Sequence, residues 1–377
     1  MALSENFLVH FCSIIDPRKD NHNKLHLLTD IIVLTILAVL CGAESFTEIE
    51  AFGKAKEEWL KTFLPLPHGI PSHDTLGNLF ARLNPQALQA SFLSWIKSVI
   101  KVSGGEIIPI DGKTLKRSYE GEGGRGAIHM VSAWGSQNEV VLGQIKTSEK
   151  SNEITAIPML LGLLDIKGST ITIDAMGCQK DIAKTIVEKE ADYVLALKGN
   201  QGTLHDDVQL FFEDLLAKKL KTIKYDEYET VEKGHGRIET RRYYVSEDIE
   251  WLTQEKEWKK LSSIGRVESL REIKGKVTRE KRYYITSLPA KAEVFARAVR
   301  THWAIENKLH WSLDVTFHED DCRIRKNHAP ENFAVIRHIA LNLLKMEKTA
   351  KVGLKIKRSK AGWDNAYLMK MLTAAGF

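Results

Sequence analysis

Cysteine is scarce in this 377-residue chain, with four residues, Cys12, Cys41, Cys178 and Cys322, scattered and forming no CxxC pair. That spacing excludes a disulfide framework and a cysteine-based zinc site, and it suits a reducing cytoplasm. Long apolar runs are missing too. The most apolar segment, IIVLTILAVLC at 31–41, is too short to span a bilayer and reads as a buried helix, so no membrane partner is expected. The N-terminus, MALSENFLVHF, lacks the basic start and long apolar stretch of a signal peptide. No internal repeat is present, and neither sign of charge dominates. Fifty-four Lys and Arg face 49 Asp and Glu, a net charge of +5 that permits contact with a polyanion without demanding it. With 43% hydrophobic and 27% charged residues, disorder over most of the chain is excluded, and the length suffices for two or three domains.

Helical patterning fills the first hundred residues. It runs from Leu25 to about Phe63, breaks at LPLPHGIP (64–71), restarts at the capping residues of SHDT (72–75), stops at Asn84-Pro85 and continues to about Lys101. The pattern then changes to strands at 106–110, 127–134 and 139–146, a helix at about 153–164, a strand at 169–174, a helix at about 180–189 and a strand at 193–198. After a helix at roughly 203–219, residues 222–288 return to strand-like alternation rich in charge, and helical spacing resumes at Lys291. The expected organisation is a helical domain at 1–100, an α/β domain at 101–346 interrupted by a β-rich insertion at 222–288, and a basic tail at 347–377. That tail carries Lys348, Lys351, Lys355, Lys357, Arg358 and Lys360 with no acid among them, either facing phosphate or simply solvated.

Asp111 follows the apolar run EIIPI in PIDGK, and Asp174 occupies the same place in ITIDAMG, each followed by small residues. Either Asp alone is readily explained as the cap of the next turn. Two in matching contexts can be neighbours across one sheet, and a Glu on a covering helix completes a set of three carboxylates. Hard cations such as Mg²⁺ or Mn²⁺ suit such a set. Two ions about 3.5–4 Å apart can then drive an in-line phosphoryl displacement. The third acid is sought in HWAIENKLHW (302–311), where His302, Glu306 and His310 share one face at helical spacing. The two histidines are roughly 12 Å apart by helical rise, too far to share one zinc ion. Trp303 and Trp311 are expected to pack on the sheet and fix the helix rotation. Asp314, Glu319, Asp320 and Asp321 form a second acidic cluster that offers a different third acid.

The chain resembles bacterial insertion-sequence transposases of the DDE type, in the group of the H-repeat-associated proteins. The resemblance covers nearly the whole length and rests on DPRK (16–19), PSHDTLGNLFARLNP (71–85), PIDGKTL (109–115), TIDAMGCQ (172–179), LALKGNQ (195–201), HGRIETR (235–241) and HWAIENKLHWSLDVTFHEDDCR (302–323). It implies an α/β, RNase H-like core, a mixed five-stranded sheet with flanking helices, whose catalytic and metal-holding triad is Asp111, Asp174 and Glu306. It also implies metal-dependent DNA cleavage at the ends of a mobile element and attack of the freed 3′-hydroxyl on target DNA. The cofactor would be two Mg²⁺ or Mn²⁺ ions, the partner double-stranded DNA, the assembly a homodimer or higher, and the location the cytoplasmic nucleoid. A DNA-binding remnant without activity and a nuclease that cuts without joining are the alternatives. One departure stands out. Related enzymes carry Tyr, Arg, Glu and Lys in a fixed register around the last acid, and the positions here hold Val299, His302, Glu306 and Leu313. Phosphate handling then passes to Arg300, His302 or Lys308, with His310 beside them. Lys113, Lys198, Asn200 and Gln201 follow strand ends on the edge of the acids and are further DNA-backbone candidates, as are His235, Arg237 and Arg241 in the insertion.

Overall fold

A computed structural model describes residues 5–20, 24–120, 124–147, 152–218, 223–234, 236–374 and 376. Among the described residues nine strands follow in chain order: β1 (Ile107–Thr114), β2 (His129–Gly135), β3 (Val140–Lys146), β4 (Thr170–Ile173), β5 (Asp192–Leu197), β6 (Asp226–Gly234), β7 (Arg237–Ser246), β8 (Ser263–Ile273) and β9 (Lys276–Thr286). The chain divides into two compact units. One holds Met1–Lys101, Gly112–Lys150 and Glu306–Phe377, and the other holds Val102–Asp111 and Ser151–Ile305.

In the second unit β1, β4 and β5 are parallel neighbours. Their apolar runs are buried almost without alternation, as strands covered on both faces must be. The expected insertion does not stand apart from this sheet. β9 pairs antiparallel with β5, Val194 opposite Thr286 and Leu197 opposite Tyr283, and β8, β7 and β6 follow outward as antiparallel neighbours. Helix Ala292–His302 lays Phe295, Ala296, Ala298 and Val299 on one side, in a core with Ile107, Val194, Tyr243, Val245 and Tyr284. Gly265 makes that approach possible, because a Cβ there would stand 2.5 Å from the Phe295 ring.

The first unit is built around helix Ala329–Met346, which is buried along nearly its whole length. It meets helices Leu28–Leu40, His73–Arg82 and Pro85–Val99 as well as β3 of the β2–β3 hairpin. Local chemistry explains the helix starts. Ser72 accepts from the Thr75 amide, Asn84 accepts from the Gln86 and Ala87 amides, and Pro85 takes the first helical position, where its missing N–H costs nothing. The helical stretch expected over 25–63 is three helices. It breaks at Gly42 (φ 120°), and Ser45 and Glu48 form a reciprocal capping box that restarts it at Phe46. Part of the basic tail is interior. In helix Leu354–Trp363 the Arg358 guanidinium donates to the Val39, Thr316 and Ala43 carbonyls and lies over the Phe317 ring, while Lys357 bonds the Leu344 and Glu347 carbonyls. Among the described residues no helix is long and apolar enough to cross a membrane.

Candidate active site

The register of β1 and β4 defines the position of the first two acids. Ile107 to Ile110 pair with Thr170 to Ile173, so Asp111 and Asp174 are each the residue after the last pair. Adjacent strands lie about 4.8 Å apart, so the two carboxylates issue from neighbouring positions on one sheet end. Asp111 is not at a strand terminus, as the expectation had it. β1 runs on to Thr114 beyond its pairing with β4. Asp174 does leave its strand, and its Oδ1 accepts from the Met176 and Gly177 amides at 3.0 and 3.3 Å, the turn-capping role that an Asp in this context can fill. A side chain at Gly177 would collide with Ile173 and stand 2.9 Å from Ile157 Cδ1, which is why small residues follow the acid.

Two of the DNA-backbone candidates close this turn. The Asn200 amide donates to the Ala175 carbonyl at 2.6 Å and the Gln201 amide to the Cys178 carbonyl at 2.8 Å. Both brace the loop carrying Asp174. Lys198, next to them, is exposed. His302 also belongs to this neighbourhood, with its Nδ1 3.0 Å from the Thr172 hydroxyl, two residues before Asp174. Burial holds its pKa below the ordinary histidine value and the nearby Asp174 charge opposes that shift, so the imidazole is neutral at pH 7. Trp303 is half-buried, with the Arg282 guanidinium 4.6 Å over its ring. No sequence signal singled out Thr172 or Arg282, because their partners lie far along the chain.

The regular helix expected to carry Glu306 is interrupted. The α-helix ends at His302, and Ile305–His310 form a π-helical turn in which bonds reach one residue further than in an α-helix. A face read at 3.6 residues per turn therefore does not carry from His302 through Glu306 to His310. Trp311, expected to pack, is 60% exposed. Ile305 and Leu309 are buried and Glu306 is exposed. Asp111 and Asp174 lie in the second unit and Glu306 opens the last segment of the first. Within either unit, no group of three or more described His, Cys, Asp or Glu side chains is placed to hold a metal ion.

Lys113 has an internal role. Its ammonium lies 2.8 Å from Asp314 and Asp320 and 3.3 Å from Glu319, which is 2% exposed. Most of the second acidic cluster is thereby committed to one lysine. Burial alone would lower the Lys113 pKa, but the three carboxylates overcome it and raise the value. Asp314 goes the other way for an acid in an ion pair, because its burial outweighs Lys113 and raises its pKa, whereas Lys113 and Lys116 hold Asp320 low. Beneath them sit His310 and His338, pushed to about 4 and about 3 mainly by burial. Of the remaining basic candidates, Arg300 pairs with Glu232 at 2.8 Å, Arg237 with Glu239 at 2.8 Å, Arg241 with Glu232 at 3.1 Å and Lys308 with Glu139, all partly open to solvent. His235 lies outside the described residues.

Residues 102–343 match the Transposase DDE domain family and residues 8–96 the DDE_Tnp_1-associated family, so the chain belongs to the DDE transposases. With its mixed α/β sheet, it has the RNase H-like fold of that family and is a DNA transposase of the insertion-sequence type. Among its relatives, "H repeat-associated putative transposase YhhI" of Escherichia coli (strain K12) is 44% identical over 374 residues, spanning 98% of each chain. "Putative transposase YncI" of Escherichia coli O157:H7 is 44% identical over 376 residues, covering 99% of this chain and 96% of that one. A piggyBac transposase synaptic complex with hairpin DNA aligns at TM-score 0.47 and 10% identity over 98% of this chain and 77% of the other, a likeness too slight to support the fold assignment.

Proposed function

We propose that this chain cuts DNA at the ends of a mobile element and joins the freed 3′-hydroxyl to target DNA, with Asp111, Asp174 and Glu306 as the metal-holding acids. The observation that carries the reading is the β1–β4 register, which sets Asp111 beside Asp174 at the end of two buried parallel strands. Their carboxylates are hard oxygen donors and fit Mg²⁺ or Mn²⁺. Two such ions, when bound, activate the attacking oxygen and stabilise the leaving one. The protein's own part is to hold and orient. Asn200 and Gln201 fix the loop bearing Asp174, and neutral His302 stands beside it without adding positive charge that would repel a cation. Lys198, Arg237, Arg300 and Lys308 are the cations open to DNA phosphates. In strand transfer the 3′-oxygen forms a bond to a target phosphorus as the bridging P–O bond breaks and a new 3′-hydroxyl leaves. Two element ends have to be held together, so the active form is a dimer or larger.

Purified protein incubated with Mg²⁺, labelled element ends and a plasmid tests this, with joined product expected. Cut ends without joining indicate a nuclease, and bound but unaltered DNA indicates an inactive remnant. Asp174→Asn should lower cleavage by at least about a thousandfold, because the amide is a poor metal ligand. Its retained Oδ1 still accepts from Met176 and Gly177, so the melting temperature should stay within a few degrees. Wild-type cleavage rates in this variant would remove Asp174 from the site.

A further inference from the structure

Many basic residues among those described are matched to carboxylates, and the strip Arg323–Lys326 is one that is not. Arg323-Ile324-Arg325-Lys326 crosses without regular structure between Glu319–Asp321 and helix Ala329–Met346. Arg323 is exposed and makes no side-chain hydrogen bond or ion pair among the described residues. Arg325 donates to the Arg117 carbonyl at 2.9 Å and lies over the Tyr119 ring, and Lys326 meets only the neutral Asn78 amide oxygen at 2.8 Å. Three positive charges within four residues thus have no acid of their own.

The strip is also held in shape. Arg125 donates to the Arg325 carbonyl at 2.8 Å and to the Asn327 carbonyl, and the Asn327 amide donates to Glu120 at 3.2 Å. Asn327 sits at φ +46°, a left-handed conformation that Asn tolerates better than most residues. The strip forms one wall of a cleft of about 530 Å³ whose other walls include Phe46, His73, Asn78 and the starts of helices Phe46–Ala55 and His73–Arg82. Two acids reach the same cleft. Glu44 is drawn off by Arg358 at 3.3 Å, which leaves Asp74 as the opposing charge. The two helix starts are already met by carboxylates, Glu48 at the first and Glu50 on the His73 amide of the second, so the excess of positive charge in the cleft comes from the three cations set against Asp74.

We propose that this cleft holds the sugar-phosphate backbone of duplex DNA, with Arg323, Arg325 and Lys326 each contacting a phosphate. The assignment rests on the chain being a DNA transposase, and it names a contact surface built from residues other than the three acids. Phosphate contacts release counterions, so each contributes about 0.9 to the slope of log affinity against log salt.

The test is anisotropy of the full chain with a labelled duplex in EDTA across a salt series. Arg323→Ala, exposed and unpartnered, leaves the fold untouched and should reduce the slope by about 0.9; replacing all three cations with Ala should reduce it by about 2.7. An Arg323→Ala protein with wild-type affinity and slope overturns the proposal. The same preparations are assayed for cleavage with Mg²⁺. Cleaving wild-type protein with an unchanged variant slope refutes the cleft alone. A reduced slope in protein that never cleaves supports the cleft and refutes the cutting reaction.

Discussion

Replacing Lys113 with Met separates an interior lysine from a DNA-contacting one. The ammonium pairs with Asp314, Asp320 and the buried Glu319, and without it the cation left near Glu319 is Arg337 at 3.8 Å. Breaking a buried ion pair by removing one partner leaves an uncompensated charge and costs about 3–5 kcal/mol. With a urea m-value of about 3 kcal/mol per M, the unfolding midpoint should fall by roughly 1–1.7 M. Adding Glu319→Gln removes the stranded charge and should recover part of the loss. DNA affinity of the folded variant and its salt slope should match wild type. A midpoint within about 0.3 M of wild type, accompanied by a slope lower by about 0.9, would mean that Lys113 serves phosphate and that the reasoning fails.

Two further outcomes follow from the same neighbourhoods. Asn200→Ala removes the 2.6 Å bond to the Ala175 carbonyl at a stability cost of about 1 kcal/mol, and single-turnover cleavage should slow about tenfold with DNA affinity unchanged. An unchanged rate would mean that the Asp174 loop needs no brace. For pH, His310 and His338 have folded pKa values of about 4 and about 3, below the ordinary 6.5. The unfolded chain therefore binds protons that the folded chain refuses, and the stability these groups contribute is complete above pH 6.5 and lost as pH falls through that window. Between pH 6.5 and 5 each costs about 2 kcal/mol. Urea midpoints at pH 7 and pH 5 should show this loss, and His338→Gln should roughly halve it. An equal loss in that variant would point to other groups.

What could be read beforehand was what short-range chemistry controls. The Asn84-Pro85 boundary, the Ser72 cap and the apolar runs before Asp111 and Asp174 each act through neighbours within a few residues, and each was found where the pattern put it. What was hidden depends on distant partners. Nothing in PIDGK reveals that Lys113 meets carboxylates about 200 residues away, and nothing in KIKRSK reveals that Arg358 serves carbonyls near residue 40. The π-helical turn was invisible for a different reason. IENKLH has ordinary helical composition, and a one-residue change in bonding reach leaves no mark on it.

The outer strands carry a last implication. In β8 the residues from Ser263 to Glu268 are buried and those from Arg271 to Ile273 are open to water, and β9 mirrors this, exposed from Lys276 to Lys281 and buried from Tyr283. Beyond that line the hairpin is held by its own ladder, by the ladder that β7 forms along β8, and near the boundary by Arg279 reaching back to the buried Glu268. Such a ribbon frays from its tip while its root stays closed, so deuterium should enter in a gradient along one continuous pair of strands. The buried root, Ser263–Glu268 with Tyr283–Thr286, should exchange last.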